Sequence, residues 1–512
     1  MALVDLWRET DWASRITPLC TILLGVFAAA WLFQTGVQYA RLAAIPIVGA
    51  DLGGKEQRRL AYLGGARKLY NDGYKKFKDG MFQITTSRNA TIIVLDPKFL
   101  PELNKLPNSV LSMEKAVDES METKYTRIET HVPIAPGTIT GKLTPALSRL
   151  SSRISQEVEE VLALELPPSQ DWNEVVIHQK LLRIVAMVSG FVFIGPELCR
   201  TEKYLDTAIN YTMDVMHAQR AVQQMKPWMR PFLSGRLPQL KKLYQRIAEA
   251  DEFMRPVINL RKKVTADTDA EKPDDMLQWL IEALPKYPDA NSQNLTKVQL
   301  GLSFAAIHTT TLAATNAFYN LAAMQEYIPI LREEAAQALA ENDGILTARA
   351  LQSMKKMDSF LKETLRMAPA TMASFQRKVL RPITLSNGQQ IPADVTIEIP
   401  AVSVNSDPSI FPDPLKFDGL RFYNLRQDGP KESAALHQFV SVNPSSLTFG
   451  YGRHACPGRF FAANEIKMIL THVLLQQDMK LADGATERYP NIEFGSMSIP
   501  DPSKKLLFRA KQ

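Results

Sequence analysis

Cys456 lies in Phe449-Gly450-Tyr451-Gly452-Arg453-His454-Ala455-Cys456-Pro457-Gly458-Arg459-Phe460-Phe461-Ala462, where three glycines surround one thiol. A patterned helix is expected to follow. Phe461, Ile466, Ile469, Leu470, Val473 and Leu474 fall largely at helical spacing, so one face belongs in the core. Pro457 suits the first helical position, where its missing N–H costs nothing. Cys456 then sits at the positive end of a helix dipole, which lowers a thiol pKa and favours the thiolate. Gly450, Gly452 and Gly458 carry no Cβ, so a flat bulky partner can approach the backbone. A soft anion ringed by amide N–H groups suits an axial iron ligand, and a thiolate on haem iron promotes O–O cleavage. Three other readings stand beside this one. A lone cysteine is commonly a small buried hydrophobe. A zinc site needs about four ligands, and His454 with Cys456 would supply two at poor spacing. A nucleophilic cysteine would need a histidine base from elsewhere in the chain.

Two further groups of residues could do chemistry. Glu363 and Arg366 are i, i+3 on one helix face and can pair. On a surface such a pair is worth little. Met357-Asp358-Ser359-Phe360-Leu361-Lys362-Glu363-Thr364-Leu365-Arg366-Met367 carries enough apolar residues to put part of this helix in the core. A pair held there would want Arg421 as a third partner and would be costly to break. The second group lies in Phe304-Ala305-Ala306-Ile307-His308-Thr309-Thr310-Thr311-Leu312-Ala313-Ala314. Its small residues let a planar group pack close to the backbone. Consecutive threonines are poor helix formers unless something uses them. Their hydroxyls could equally bond back to the carbonyl four residues earlier.

At these residues the chain resembles the haem-thiolate monooxygenases, the cytochrome P-450 superfamily. The family's cysteine loop reads F-x-x-G-x-R-x-C-x-G, and Phe449, Gly452, Cys456 and Gly458 match it. His454 stands where the family usually has an Arg that pairs with a haem propionate; histidine can still donate there, with a pH-dependent charge. Glu363-Thr364-Leu365-Arg366 matches the family's E-x-x-R helix, and Phe417-Asp418-Gly419-Leu420-Arg421-Phe422 the segment whose Arg completes that network. The resemblance gives this triad a structural role, bracing the cysteine loop. Ala305 to Thr310 matches the oxygen-binding helix, where the family has an acid followed by Thr for proton delivery. Here Thr309 is kept and His308 replaces the acid. Arg377, eight residues beyond Pro369, stands where the family places a propionate-binding Arg; a strand-edge surface charge would read the same. The family's upstream Trp-x-x-x-Arg is absent, because no Trp lies between Trp31 and Trp172. Lys142 and Arg149 are the candidates in its place.

The resemblance implies haem b with Cys456 as iron ligand, Phe449, Gly450, Gly458, His454 and Arg377 around it, and Thr309 and His308 as catalytic candidates. Electrons from NADPH would come through a partner cytochrome P-450 reductase, since the chain carries neither a flavin nor an NAD fingerprint. One atom of dioxygen would enter an unactivated C–H bond. The spellings look most like fungal members that decorate secondary metabolites, which points to a terpenoid or polyketide-derived substrate. Apolar pocket candidates are Ile307, Leu312, Met372, Phe375 and Met497. The rivals are a haem-thiolate isomerase or dehydratase that needs no reductase, and a non-enzymatic haem sensor or carrier. Thr309 argues against the first, and the anchor with the complete motif set against the second.

The elements that must position these residues read as mainly α with small β-sheets, a cytochrome P-450 fold behind an N-terminal transmembrane helix. The chain has 512 residues, 45% of them hydrophobic, enough for a large core. Its three cysteines are too few for a disulfide framework. A net charge of +6 with no arginine-rich block argues against nucleic acid. Residues 82–95 alternate like a short hairpin. Residues 145–220 and 298–341 read as helices, and 376–402 as strands around the turn Ser386-Asn387-Gly388. Lys262 to Asp275 is polar and reads as an exposed loop. Lys226-Pro227-Trp228-Met229-Arg230-Pro231-Phe232-Leu233 mixes basic and aromatic residues as an interfacial loop would; a buried Trp under a loop is the alternative.

Residues 16–33 are apolar apart from Thr17, Pro18 and Thr21, and the apolar character continues to Val37. The flanking start holds Asp5, Glu9 and Asp11 against Arg8 and Arg15, so it lacks the positive start of a signal peptide, which is the alternative. Arg41, Lys55, Arg58 and Arg59 follow, and the positive-inside rule places that side in the cytosol. The expected layout is a lumenal N-terminus at 1–15, a single-pass anchor at 16–37 in the endoplasmic reticulum membrane, and a cytosolic catalytic domain at 45–512. Sequons at Asn89, Asn210 and Asn294 would stay unmodified in that topology.

Overall fold

The computed structural model describes residues 12–88, 90–266, 270–428 and 431–512. Helix α1 (Trp12–Ala43) contains the expected anchor, and most of the expected lumenal segment lies outside the described residues, as does Asn89. Ile22, Leu23, Val26, Phe27 and Phe33 of α1 are exposed. Among the described residues no helix is long and apolar enough to cross a membrane. After α1 the chain turns into the globule, where the Gln83 side-chain amide donates to the Leu42 and Ile45 carbonyls at 2.6 and 2.7 Å.

A small sheet forms first. Strands β1 (Met81–Thr85) and β2 (Thr91–Leu95) pair antiparallel, so the hairpin read from the alternation at 82–95 is present. Two later strands extend it: β3 (Ser374–Val379) and β4 (Thr396–Ile399). The order is β1–β2–β4–β3, with the short strand Leu111–Ser112 at the far edge. Helix α2 (Lys55–Lys76) packs on β1. Gly73 is required there, because a Cβ would lie 2.4 Å from the Phe82 ring.

The rest is helical. The main helices are α3 (Thr144–Glu165), α4 (Ile177–Phe193), α5 (Glu202–Gln224), α6 (Pro238–Ala266), α7 (Leu295–Ala323), α8 (Tyr327–Ala340), α9 (Lys355–Met367) and α10 (Arg459–Gln476). Helix α7 runs through the middle and packs on α4, α5, α6, α9 and α10. Its apolar residues join the largest core with Ile154, Ile184, Phe360 and Ile469. The segment from Lys262 differs from the loop expected of it. Helix α6 continues to Ala266, since Ile258 and Arg261 bury one face and Arg261 bonds Glu197 at 2.9 Å. The next helix starts at Asp275, which caps it by accepting from Gln278 N–H at 2.9 Å.

Helix α9 buries four charged side chains. The Glu363 carboxylate is completely buried and accepts from Arg366 Nε and Nη2, both at 2.8 Å, from Arg421 Nε at 3.2 Å and from Asp418 N–H at 3.1 Å. Arg366 also donates to the Asn405 and Pro414 carbonyls, at 2.5 and 2.8 Å. The triad thus ties α9 to residues 405–421, not to the cysteine loop as expected of it. The brace for that loop comes from Lys362 and Asp358 on the same helix. Lys362 Nζ donates to the Gln438 carbonyl at 2.8 Å and the Ser446 hydroxyl at 3.0 Å. Asp358 pairs with Arg426 and, at 2.7 Å, with Lys467 of α10, and accepts from Phe439 N–H at 2.8 Å. Asp358 and Lys362 stand i, i+4 on this helix, and neither stands out in the sequence as a brace.

Removing one member of a buried ion pair leaves the other uncompensated, at a cost of about 3–5 kcal/mol. Arg366→Ala should therefore sharply reduce folded yield and thermal midpoint. A wild-type midpoint in that variant would show that the pair contributes nothing.

Lys362 gives a pH-dependent prediction. Burial drives its amine from 10.5 down to about 7, against the pull of the Asp358 carboxylate and with a further push from Arg426. Between those values the unfolded chain holds a proton that the folded chain lacks. This group's contribution to stability therefore rises with pH across that window. The thermal midpoint of the wild type relative to Lys362→Met should shift in the wild type's favour between pH 7 and 9. A flat difference would show that Lys362 does not titrate in the window.

Candidate functional site

The cysteine loop closes on itself before α10 begins. Cys456 N–H donates to the Phe449 carbonyl at 2.8 Å, and Gly450 N–H to the Leu447 carbonyl at 3.0 Å. Gly450 and Gly452 take φ values of +78° and +66°, the left-handed region that glycine enters without strain. At Gly452 a Cβ would also fall 1.9 Å from the Asn104 side-chain oxygen. Gly458 differs: a Cβ there would meet nothing within 4 Å, so open space lies beside it. Phe449 stacks edge-on against Phe439 with centroids 5.4 Å apart. The Ser374 hydroxyl of β3 donates to the Leu447 carbonyl at 3.0 Å and joins the loop to the sheet.

The Cys456 side chain retains accessible surface. Burial raises its thiol pKa, and the N–H groups of Gly458 and Arg459 with the Arg459 guanidinium offset this only in part. The lowered pKa expected from the helix start is therefore not present in the protein alone, because desolvation outweighs the dipole. A metal cation on the sulfur would reverse the balance, since a coordinating thiol is deprotonated outright.

Helix α7 presents an open strip in the middle of the core. Ala305 and Thr309, one turn apart, are exposed, while Ile307 and Thr310 are buried. The Thr309 hydroxyl donates to the Ala305 carbonyl at 2.7 Å, so the back-bond to the carbonyl four residues earlier is present, on a residue that is exposed. His308 points elsewhere. Its Nε2 lies 2.8 Å from the Ile209 carbonyl on α5, and burial lowers its pKa, so it is a neutral donor between two helices. His308 and Thr309 are adjacent in sequence but face different neighbours.

Arg377 of β3 is 5% exposed, with its guanidinium 4.1 Å from the Phe375 ring centroid. It donates one hydrogen bond, to the Gln376 carbonyl at 2.8 Å, and among the described residues no carboxylate pairs with it. Burial, helped by the Arg453 charge, holds its pKa down to about 10. His454 Nε2 accepts from Arg453 Nε at 3.3 Å; burial and the charges of Arg377 and Arg453 lower its pKa and keep it neutral, with Nδ1 left to donate. Arg453 was not singled out in the sequence, although its place between two loop glycines was a signal. Of the two stand-ins for the missing upstream Arg, Arg149 is committed to Asp274 through bonds of 2.9 and 2.6 Å, and Lys142 is exposed.

The pocket candidates separate. Leu312 is partly open and Met497 is 37% exposed. Ile307 and Met372 are fully sealed and so line no space; both are core residues, because neighbouring elements cover the helix and strand faces they occupy. Phe375 is nearly sealed, packing under Arg377 and edge-on against Tyr451.

A haem fits this set of residues. Cys456 would ligate the iron. Gly458 leaves room beside the backbone, and Ala305 and Thr309 leave room on α7. Arg377 and His454 would take the anionic propionates that an unpaired buried guanidinium calls for. When bound, haem supplies the activation of dioxygen.

Residues 75–508 match the family model described as Cytochrome P450. The chain is 43% identical over 426 residues to the cytochrome P450 monooxygenase ATR3 of Stachybotrys chlorohalonatus, covering 82% of this chain and 89% of that one. It is 35% identical to the cytochrome P450 monooxygenase braC of Annulohypoxylon truncatum, with 99% of both chains covered. It is 34% identical to the cytochrome P450 monooxygenase AN1598 of Emericella nidulans, over 96% of this chain and 92% of the relative. Match and motifs agree along the catalytic region, and the chain belongs to the cytochrome P450 family, as an oxygen-incorporating monooxygenase.

Proposed function

We propose that this chain is a membrane-anchored haem-thiolate monooxygenase that hydroxylates or further oxidises an apolar secondary metabolite, of terpenoid or polyketide origin. The observation that carries the catalytic part is the accessible Cys456 sulfur beneath two backbone amides, with a buried, unpaired Arg377 nearby. The open strip of α7 gives an apolar substrate a surface of small side chains, with Leu312 and Met497 as its greasy borders. The substrate class rests on the resemblance to fungal members that decorate secondary metabolites. NADPH electrons would arrive through a partner reductase.

Proton delivery falls to Thr309 rather than His308. Thr309 is exposed, while His308 is spent on the Ile209 carbonyl. His308 instead spaces α5 from α7. Its lowered pKa keeps it neutral near pH 7, so it adds no charge to that contact.

The anchor reading puts residues 16–37 in the endoplasmic reticulum membrane and the catalytic domain in the cytosol. It is supported by the exposed apolar side chains of α1 and by Arg41 in its last turn. Trp228 and Phe232 are 69% and 79% exposed beside Lys226 and Arg236, which favours the interfacial loop over a buried Trp.

Cys456→Ala should abolish the red-shifted carbon monoxide spectrum of thiolate-bound ferrous haem; an unchanged spectrum sinks the ligand assignment. With reductase and substrate, Thr309→Ala should consume NADPH, raise peroxide and lower product. His308→Ala should keep wild-type coupling. Turnover without reductase would favour an isomerase or dehydratase instead.

Removing residues 1–37 should leave a protein that still sediments with anionic vesicles. Adding Trp228→Ser and Phe232→Ser should release it to the supernatant. Retention of that triple change on vesicles would refute the interfacial loop.

A further inference from the structure

The face of α7 that carries Thr309 continues toward its C-terminus into a polar contact. Asn316 and Asn320 lie seven and eleven residues beyond Thr309. At about 3.6 residues per turn, all three point within roughly 20° of one direction. Both asparagines are buried. Asn316 Nδ2 donates to the Leu312 carbonyl at 3.0 Å and Asn320 Nδ2 to the Thr364 hydroxyl at 3.0 Å. Their two side-chain oxygens accept from one guanidinium, that of Arg488, through Nη2 and Nε. Arg488 Nη2 also donates to Asn491 at 3.0 Å, and Nη1 to the Tyr489 carbonyl at 2.6 Å.

Arg488 stands at the base of a hairpin made of β5 (Asn491–Phe494) and β6 (Met497–Pro500). Met372 N–H donates to the Ser496 carbonyl at 2.7 Å, and Ser498 N–H to the Ala370 carbonyl at 3.1 Å. These bonds hold the tip against residues 370–372. Thr371 and Met497, which pair there, are both exposed. The base has its own fixings. Tyr319 packs edge-on against Tyr489 at 5.2 Å and donates to the Asp501 carbonyl at 2.7 Å.

Among the described residues Arg488 has no carboxylate partner, and burial lowers its pKa to about 10. An apolar residue would be cheaper to bury. A planar fork does what an apolar residue cannot: it spans two asparagines one helical turn apart and fixes spacing as well as contact. We infer that Arg488 is a positioning residue, which sets the distance of the β5–β6 hairpin from the Thr309 face and thereby the position of the substrate presented to that face. This rests on the monooxygenase reading above.

The test uses the full-length holoenzyme and the variant Arg488→Lys, which keeps the charge and loses the fork. Two probes are imidazole, which is small, and 4-phenylimidazole, which reaches the walls; both are titrated by their optical shift on the haem. The ratio of their affinities should change by about fivefold or more, the low end of measured coupling between sites. Imidazole alone should bind as in the wild type. Hydrogen exchange should speed up in residues 489–500 and stay unchanged in α10. Asn316→Ala should shift the ratio in the same direction, which covers failure of Arg488→Lys to load haem. An unchanged ratio in a haem-loaded variant, or exchange that rises evenly along the chain, overturns the inference. Absence of a thiolate spectrum in the wild type would instead overturn the monooxygenase reading.

Discussion

Glu363 is a carboxylate withdrawn wholly from water, and the arrangement around the cysteine follows from that burial. Such a group must be given donors or it will not stay ionised. Arg366 and Arg421 supply charge, and Asp418 supplies a backbone N–H, so residues 405–421 must wrap against α9. That wrapping carries Arg426 to Asp358. Asp358 is pushed up by burial, but Lys467 and Arg426 outweigh this and hold it near 2. Lys467 belongs to α10, downstream of the cysteine, while Lys362 holds Ser446, upstream of it. The cysteine loop is thus a length of chain clamped at both ends to one helix. Preorganising a ligand this way keeps its geometry from depending on the bound group alone.

Much of this was legible in the sequence, and the failures have specific causes. The cysteine loop could be read because its glycines and its helix start are local signals. Glu363 with Arg366 could be read because their helix is too apolar to float on the surface. Asp358 and Lys362 could not. An i, i+4 acid–base pair looks the same buried or solvated, and only the partners Arg426, Lys467 and Gln438 distinguish the two. The bracing bonds come from Lys362 and Asp358 for that reason.

The same limit governs α7. Periodicity identifies the helix, but the direction of each side chain depends on which neighbours surround it. Thr309 faces an opening and His308 faces α5, although they are adjacent. Ile307 and Met372 are apolar, as a greasy substrate requires of its pocket, yet packing seals both. Leu312 and Met497 are equally apolar and keep accessible surface. Apolar character selects the core and the pocket alike, so sequence alone cannot separate them.

Two buried arginines show how hydrogen-bond accounting separates a ligand site from a structural clamp. Both lack a carboxylate among the described residues, and burial lowers both to about 10. Each guanidinium carries five N–H donors. Arg488 directs its donors at Asn316, Asn320, Asn491 and the Tyr489 carbonyl, all neutral acceptors from the chain itself. It is complete as it stands and gains little from an anion. Arg377 uses one donor, on the Gln376 carbonyl, and rests its face on Phe375. Among the described residues its Nε and Nη2 make no hydrogen bond, yet they keep accessible surface, beside a neutral His454 that can also donate. Donors left open toward accessible space can be completed by an anionic ligand. The position of that incompleteness, beside the cysteine loop, fits a dianionic cofactor edge, and the completeness of Arg488 marks it as part of the wall.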